Sequence, residues 1–305
     1  MPAVGLTPLW CSKMNPIKFF LLLGFLAHIA AFPVQNSTGL NEEAARFKRG
    51  FSAERLAESE MTAMDRIQET NENEFLVNPP PEGTTFREGD IAVSQRRSPI
   101  SCFARSCLWP KSVDGFVYVP YNLSSQYNDI EKMAIETGMQ DIANGTCIRF
   151  VPRSHESNYL NIQSKTGCWS FLGLNGGAQP LSLQAPGCTW SGVAAHELMH
   201  ALGFVHEQSR IDRDRYITIL WENILKDREF NFDKYKTNNL DTPYDYGSLM
   251  HFGNYKQNRS TQYAYSEDGL PTILPKSNIN VQIGQRFGPS PTDKLKINKL
   301  YKCAV

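Results

Sequence analysis

The segment Val193–Arg210 reads VAAHELMHALGFVHEQSR and holds three of the chain's six histidines. His196 and His200 are four residues apart, so on a helix both imidazoles project from one face. Two nitrogens placed that way can hold one zinc ion at about 2.0–2.1 Å from each. Glu197 is aimed too poorly to join the same tetrahedron. It stands instead beside the open coordination position, where a general base is needed. Gly203 lets the chain turn sharply after the second histidine, because glycine tolerates positive φ, and the turn returns His206 as a third ligand. Three neutral nitrogens leave a dipositive Lewis acid with one position for water. A bare H-E-x-x-H could be a chance pair of core histidines, whereas the full H-E-x-x-H-x-x-G-x-x-H string makes that reading remote. Ser248-Leu-Met250-His-Phe252 downstream has the form of a methionine turn beneath a zinc site. Met250 alone would be ordinary core filler.

The elements that must position these groups belong to a chain of 305 residues with 31 basic and 31 acidic side chains. That length can bury a full core without disulfides, and zero net charge argues against nucleic acid as a partner. Lys13 and Lys18 precede the apolar run Phe19–Phe32, which is too short for a comfortable membrane span. We read residues 1–31 as a secretory signal, with Met14 as an alternative start and an uncleaved anchor as the competing reading. No later run is long and apolar enough to span a membrane, so the rest is expected to be exported. Export sets aside Cys11 and leaves Cys102, Cys107, Cys147, Cys168, Cys188 and Cys303 for an oxidising compartment. Six cysteines allow fifteen pairings. The sequons at Asn36, Asn122, Asn144 and Asn258 agree with export.

Residues 32–97 differ from the rest. They carry eight basic and twelve acidic groups, a proline run at Pro79–Pro81 and no cysteine. Glu42–Met64 could form an amphipathic helix. The paired Arg96-Arg97 that ends this stretch is read equally well as a site of proteolytic removal or as part of a solvated linker. Beyond it, residues 98–305 are expected to form one α+β domain. Phe116–Val119, Ile148–Val151 and Tyr159–Ile162 are strand candidates. Ser124–Ala143 is a helix candidate, with Ser124 as its cap and Ile130, Met133, Ala134 and Ile135 on its apolar side.

The string from His196 through His206 to Arg210 and Asp214, together with Cys168–Gly173, Leu181–Gln184 and Asp245–His251, resembles the astacin branch of the metzincin zinc endopeptidases. The likeness runs from Cys102 to Cys303. The early pair Cys102 and Cys107 is similar to that of six-cysteine astacins, which include fish hatching enzymes. The resemblance implies bridges Cys102–Cys107, Cys147–Cys303 and Cys168–Cys188. It also implies a fold in two parts. An N-terminal subdomain has a twisted, mostly parallel sheet and two long helices, and a largely irregular C-terminal subdomain has a terminal helix, with zinc in the cleft between them. His196, His200 and His206 would bind one zinc ion. Glu197 would take a proton from the attacking water and pass it to the leaving amine. An extended protein substrate would pair antiparallel to Cys168–Gly173. Asp90, from residues 32–97 read as a propeptide, would occupy the water position of the precursor's metal. Its aromatic neighbour, Phe86, is one residue earlier than the family places it. An activating protease would cut after Arg97, and Glu207 would lie near the new N-terminus at Ser98. The mature protein would be a secreted monomer that contacts neither nucleic acid nor membrane.

One departure bears on mechanism. The family places Tyr directly after the methionine-turn histidine, where it is a distant fifth ligand and supports the oxyanion. Phe252 keeps the ring and loses the hydroxyl. Loss of one oxyanion donor commonly costs about 10²–10³ in rate, so a slower enzyme with a four-coordinate zinc is expected, with Tyr246 and Tyr255 as the tyrosines to check. A second reading is a catalytically weakened scaffold acting as a binding or regulatory protein, which the intact Glu197 disfavours. A third is a matrix component whose metal only staples the fold. Hatching-type relatives suggest egg-envelope glycoproteins as substrates, with digestive, haematopoietic-organ and brooding-tissue roles equally open.

Overall fold

The computed structural model describes residues 61–79, 84–94, 107–253, 265–278, 280–285 and 287–304. The described residues all belong to one compact unit within Ala53–Val305. The readings that concern the signal segment, Asn36, Arg97, Cys102, Tyr255 and Asn258 fall outside the described residues.

Helix α1 spans Ala63–Val77. Thr62 and Asp65 form a reciprocal capping box, each side chain bonding the other's backbone N–H at 3.1 Å. The helix reading over 42–64 lies outside the described residues up to residue 60; within them, the Thr62 cap starts α1 at Ala63. Strands β1 (Thr84–Arg87) and β2 (Ile91–Ser94) form a hairpin whose tip is Glu88-Gly89-Asp90. Then follow β3 (Val117–Leu123), helix α2 (Asp129–Ala143), β4 (Ile148–Pro152), β5 (Tyr159–Gln163), β6 (Cys168–Phe171), β7 (Ala178–Leu183) and helix α3 (Ser191–Ala201). The seven strands β1–β7 make one sheet in the order β1-β2-β6-β7-β5-β3-β4. Four of its six neighbouring pairs are parallel. The architecture is α+β, as expected.

Two details of α2 differ from expectation. Its cap is Asn128, boxed with Glu131, and Ser124 instead accepts a hydrogen bond from the N–H of Gln126 in the preceding turn. The buried face is Ile135, Gly138, Met139 and Ile142, while Ile130 and Met133 are 75% and 62% exposed. The spacing 135, 138, 139, 142 is one helical stripe, and Ile130 and Met133 lie off it. Helix α3 is buried along nearly its whole circumference, its polar His196, Glu197 and His200 included. It packs on α2, with the sheet's residues Leu160, Ile162, Leu181 and Leu183 in the same core.

After α3 the chain is mostly turns and short 3-10 segments, with a two-stranded sheet of β8 (Ile217–Ile219) and β9 (Ile273–Pro275) and a final helix α4 (Pro291–Tyr301). The Cys147–Cys303 bridge ties the end of this half to the start of β4, and Cys168–Cys188 joins β6 to the approach to α3. Both pairings match the expected ones. No described helix is long and apolar enough to cross a membrane.

Asp293 joins α4 to the rest. It forms a capping box with Ser290, and its two oxygens also accept from the Ser248 hydroxyl at 2.6 Å and the Leu249 N–H at 2.9 Å. It is 1% exposed. Asp293→Ala removes the box's return bond to the Ser290 N–H and leaves these buried donors unpaired, so we expect a loss of about 3 kcal/mol. The urea midpoint of the variant against wild type measures it.

Candidate metal centre

Three ring nitrogens converge on one point because three local features aim them there. Helix α3 places His196 and His200 on one face, with ring centroids 4.7 Å apart. Gly203 then adopts φ +101°, the conformation that only glycine takes without strain. Its N–H bonds the His200 carbonyl at 2.8 Å, and the chain folds back to deliver His206. The His196 and His206 Nε2 atoms are 3.1 Å apart. All three imidazoles have zero exposure.

Each imidazole has an outer partner on Nδ1. His196 faces the Leu249 carbonyl at 3.0 Å and His200 the Phe204 carbonyl at 2.6 Å. His206 faces the carboxylate of Glu88. Carbonyl and carboxylate oxygens accept, so each Nδ1 carries a proton, and a neutral ring so held turns its Nε2 lone pair inward. Asp90 completes the cluster. Its Oδ2 lies 3.1, 3.5 and 3.4 Å from the Nε2 atoms of His196, His200 and His206. These four ligand atoms lie within 4.8 Å of one another.

The residues fit a small divalent cation. Buried polar atoms are normally satisfied, yet Asp90 Oδ1, His200 Nε2 and both Glu197 oxygens are buried without a hydrogen-bond partner among the described residues. Three imidazoles and one carboxylate are a borderline-to-hard donor set of the kind zinc takes in four-coordinate sites. Burial pushes the Glu197 carboxyl well above its usual range, and the neighbouring Asp90 charge adds to this. Asp90 itself is buried, but the His206 and His200 charges hold its carboxyl well below the usual range. Burial lowers His196 to about 4. At His206 burial is outweighed by Asp90 and Glu88, which hold the imidazole up at about 10. A cation entering the metal-free cluster therefore displaces a proton.

Below the cluster, Met250 is buried, and its carbonyl accepts the Glu207 N–H at 2.8 Å. Phe252 is fully buried. Its ring lies against His206, Phe232 and Tyr265, and its N–H bonds Gln208 Oε1 at 3.1 Å. The Tyr246 hydroxyl donates to the Tyr216 carbonyl at 2.7 Å and so is committed elsewhere. Glu207 is buried away from the histidine cluster. It accepts from Arg210 at 3.1 Å, Lys296 at 2.5 Å and the Asp245 N–H at 2.9 Å. Burial raises its carboxyl despite these cations. A cleft of about 200 Å³ lies beside it, lined by Leu108, Gly203, Arg210 and Lys296 among others.

The hairpin tip is held by residues that the motif search did not single out. Asn71 of α1 donates to the Gly89 carbonyl at 3.0 Å and the Cys168 carbonyl at 2.8 Å, and accepts from the Cys168 N–H at 2.7 Å. Phe86 stacks on Phe75 at 5.0 Å and meets Trp169 edge-on at 5.8 Å. The aromatic that comes one residue early thus still reaches β6. β2 lies along the same strand, parallel to it, with Ile91 opposite Ser170 and Ala92 opposite Phe171. Glu88 was the one legible omission, an acidic residue two positions from Asp90 in the same turn.

Gly89 has φ +91°, and a Cβ there would stand 2.2 Å from the Tyr265 hydroxyl. Gly89→Ala should therefore lift the tip and withdraw Asp90 from the three nitrogens. Limited proteolysis should cut residues 84–94 several-fold faster in the variant; equal rates would show that the tip absorbs the methyl group.

Residues 106–302 match the peptidase family described as Astacin. High choriolytic enzyme 2 from Oryzias latipes is 43% identical over 285 residues, covering 93% of this chain and 97% of that protein. An astacin-like metalloendopeptidase from Gallus gallus is 40% identical over 299 residues, covering 93% of this chain and 69% of the other. Among solved structures, that of high choriolytic enzyme 1, a hatching enzyme zinc-protease from Oryzias latipes (medaka fish), superposes with a TM-score of 0.61 at 48% identity. It covers 66% of this chain and 96% of that one.

Proposed function

Because this chain belongs to the astacin family and is a metalloendopeptidase that uses one zinc ion, we propose that it is made as a latent, secreted precursor whose residues 32–97 block the site until a protease cuts after Arg97. The working enzyme is then residues 98–305, a monomer that cleaves extracellular proteins. Egg-envelope glycoproteins are the substrate class that the names of its choriolytic relatives support. Asn122 and Asn144 are exposed, which agrees with glycosylation of an exported protein.

A single observation carries this reading. The carboxylate of Asp90 sits within 3.5 Å of all three histidine nitrogens, and the strand that follows it occupies the free edge of β6. One short segment thus supplies a ligand at the metal's open position and lines the strand edge where an extended peptide would lie. It does so parallel to β6, the reverse of the antiparallel direction expected of a substrate.

His196, His200 and His206 would hold the zinc, which when bound polarises the scissile carbonyl and acidifies an attacking water. Glu197 accepts that water's proton and delivers it to the departing amine. A carboxyl pushed upward by burial suits both steps, since it can hold the proton between them. Phe252 offers no hydroxyl to the developing oxyanion. Removal of residues 61–94 would uncover Tyr265 and β6 together. The cleft beside Glu207 is large enough for a chain end, and the Ser98 ammonium would bring it a third cation.

Mature protein and its Glu197→Ala variant, incubated with a proteome-derived peptide library, test the assignment. Cleavage should be present in the first and absent from the second, with zinc retained in both. A mature protein that keeps zinc but cuts nothing would replace the enzyme reading with a binding scaffold. Phe252→Tyr should raise kcat, by up to about 10²-fold if one oxyanion donor is restored, with a smaller change in KM. A precursor with both Arg96 and Arg97 replaced by Ala should remain intact and silent toward the same peptides.

A further inference from the structure

Glu88 is a buried carboxylate that the proposed chemistry leaves unused. It is 1% exposed and sits at φ +54°, in the left-handed region that non-glycine residues avoid. Its Oε2 accepts from Nδ1 of His206 and lies 3.4 Å from the backbone N–H of the same residue. Its Oε1 is buried without a hydrogen-bond partner among the described residues. The hairpin tip is therefore held in a costly backbone conformation that delivers a second carboxylate to the outer edge of one imidazole. Asp90, two residues on, meets the inner edge of that imidazole at 3.4 Å.

The other two histidines differ from His206 in this respect. Their outer partners, the carbonyls of Leu249 and Phe204, come from residues 98–305. Of the three, only His206 takes its outer partner from residues N-terminal to that domain. A carboxylate acceptor fixes the ring's tautomer, aims Nε2 inward and makes the nitrogen a stronger donor to a metal.

We propose that Glu88 is a positioning residue for the precursor's zinc site, holding His206 as a metal ligand for as long as the N-terminal segment is docked. The inference rests on the reading of a zinc site beneath a removable segment. It adds that the segment strengthens the metal's hold besides covering it. By linkage, zinc must equally strengthen the docking of the segment. Departure of the segment takes away Glu88 together with Asp90, and the mature site keeps its zinc with one outer carboxylate fewer.

The test uses full-length precursors, wild type, Glu88→Gln and Glu88→Leu, in zinc competition against a chromophoric chelator at fixed pH. Glu88→Gln keeps the shape and one acceptor but not the charge, and Glu88→Leu keeps neither. Zinc affinity should fall by roughly 10–100-fold for the leucine variant, with glutamine between. The visible bands of cobalt loaded in place of zinc should shift in the same order. Cleavage after Arg97 and removal of the segment should abolish every difference, because the mature proteins are then identical. If Glu88→Leu does not fold, Glu88→Gln alone decides. Variants that fold and bind zinc as tightly as wild type overturn the inference and leave the function untouched. A wild-type precursor that takes up no zinc at all overturns the metal reading, and this inference with it.

Discussion

Everything in the site follows from one constraint: three imidazole nitrogens with inward lone pairs share a point that water does not reach. Burying unpaired polar atoms is costly, so such a cluster persists only where a cation or proton satisfies it and where each ring is held from behind. The holding structure is spread across the fold. Leu249 holds His196, and Leu249 is in turn fixed by Asp293 at the start of the last helix. Phe204 holds His200 from within the turn that Gly203 makes. The β6 strand is pinned to the same turn by the Gly173 N–H on the His200 carbonyl, at 2.8 Å. The C-terminal helix, far along the chain, is thus part of the machinery that aims the first histidine.

Low dielectric acts on the acids in the same place with opposite results. Asp90 and Glu197 are both fully buried beside the cluster. Asp90 touches the histidines, and their charge keeps it ionised. Glu197 touches none of them, faces Asp90, and is driven toward its protonated form. On the proposed reading, position alone makes one carboxylate a ligand and the other a proton carrier. This division holds while Asp90 is docked. A substrate in place of Asp90 would remove the adjacent negative charge, and with it that part of the upward push on Glu197.

The legible part of this site was the part written in short stretches of sequence. The three histidines, Glu197, Gly203 and Met250 lie in two local motifs whose spacing maps directly onto a helix, a turn and a tight return. Through the family likeness, a mostly parallel sheet, the terminal helix and the pairings Cys147–Cys303 and Cys168–Cys188 were also within reach. The less legible features depend on long-range register. Nothing local to Ile91-Ala92 says that they pair with Ser170-Phe171. Nothing local to Asn71 says that its amide spans Gly89 and Cys168, 18 and 97 residues away. The misplaced cap at Ser124 shows the smaller version of the problem. Serine and asparagine are both good caps, and only the position of Glu131 three residues after Asn128 separates them. Nothing local to Glu88 says that its carboxylate meets His206, 118 residues away.

If residues 84–94 cover the cleft of a latent precursor, as proposed, the direction of β2 gives a reason for such a peptide to escape being cut. Backbone pairing along β6 can be satisfied in either direction, since parallel and antiparallel ladders both use every second residue's N–H and C=O on the facing edge. The two directions differ in which atoms arrive at the metal. A parallel strand entering through the Glu88-Gly89-Asp90 turn brings a side-chain carboxylate to the nitrogens, and the backbone passes to the side: the Asp90 carbonyl is occupied by the Ser170 N–H at 3.1 Å. The Phe86 ring between Phe75 and Trp169, the Asn71 amide across the tip and the carboxylate of Glu88 behind His206 all fix that reversed arrangement. Affinity for the cleft and resistance to cleavage therefore come from the same contacts. Cutting the chain beyond β2 would weaken this arrangement by freeing its tether and leaving the pairing itself intact, so release should be a separate step that follows the cut.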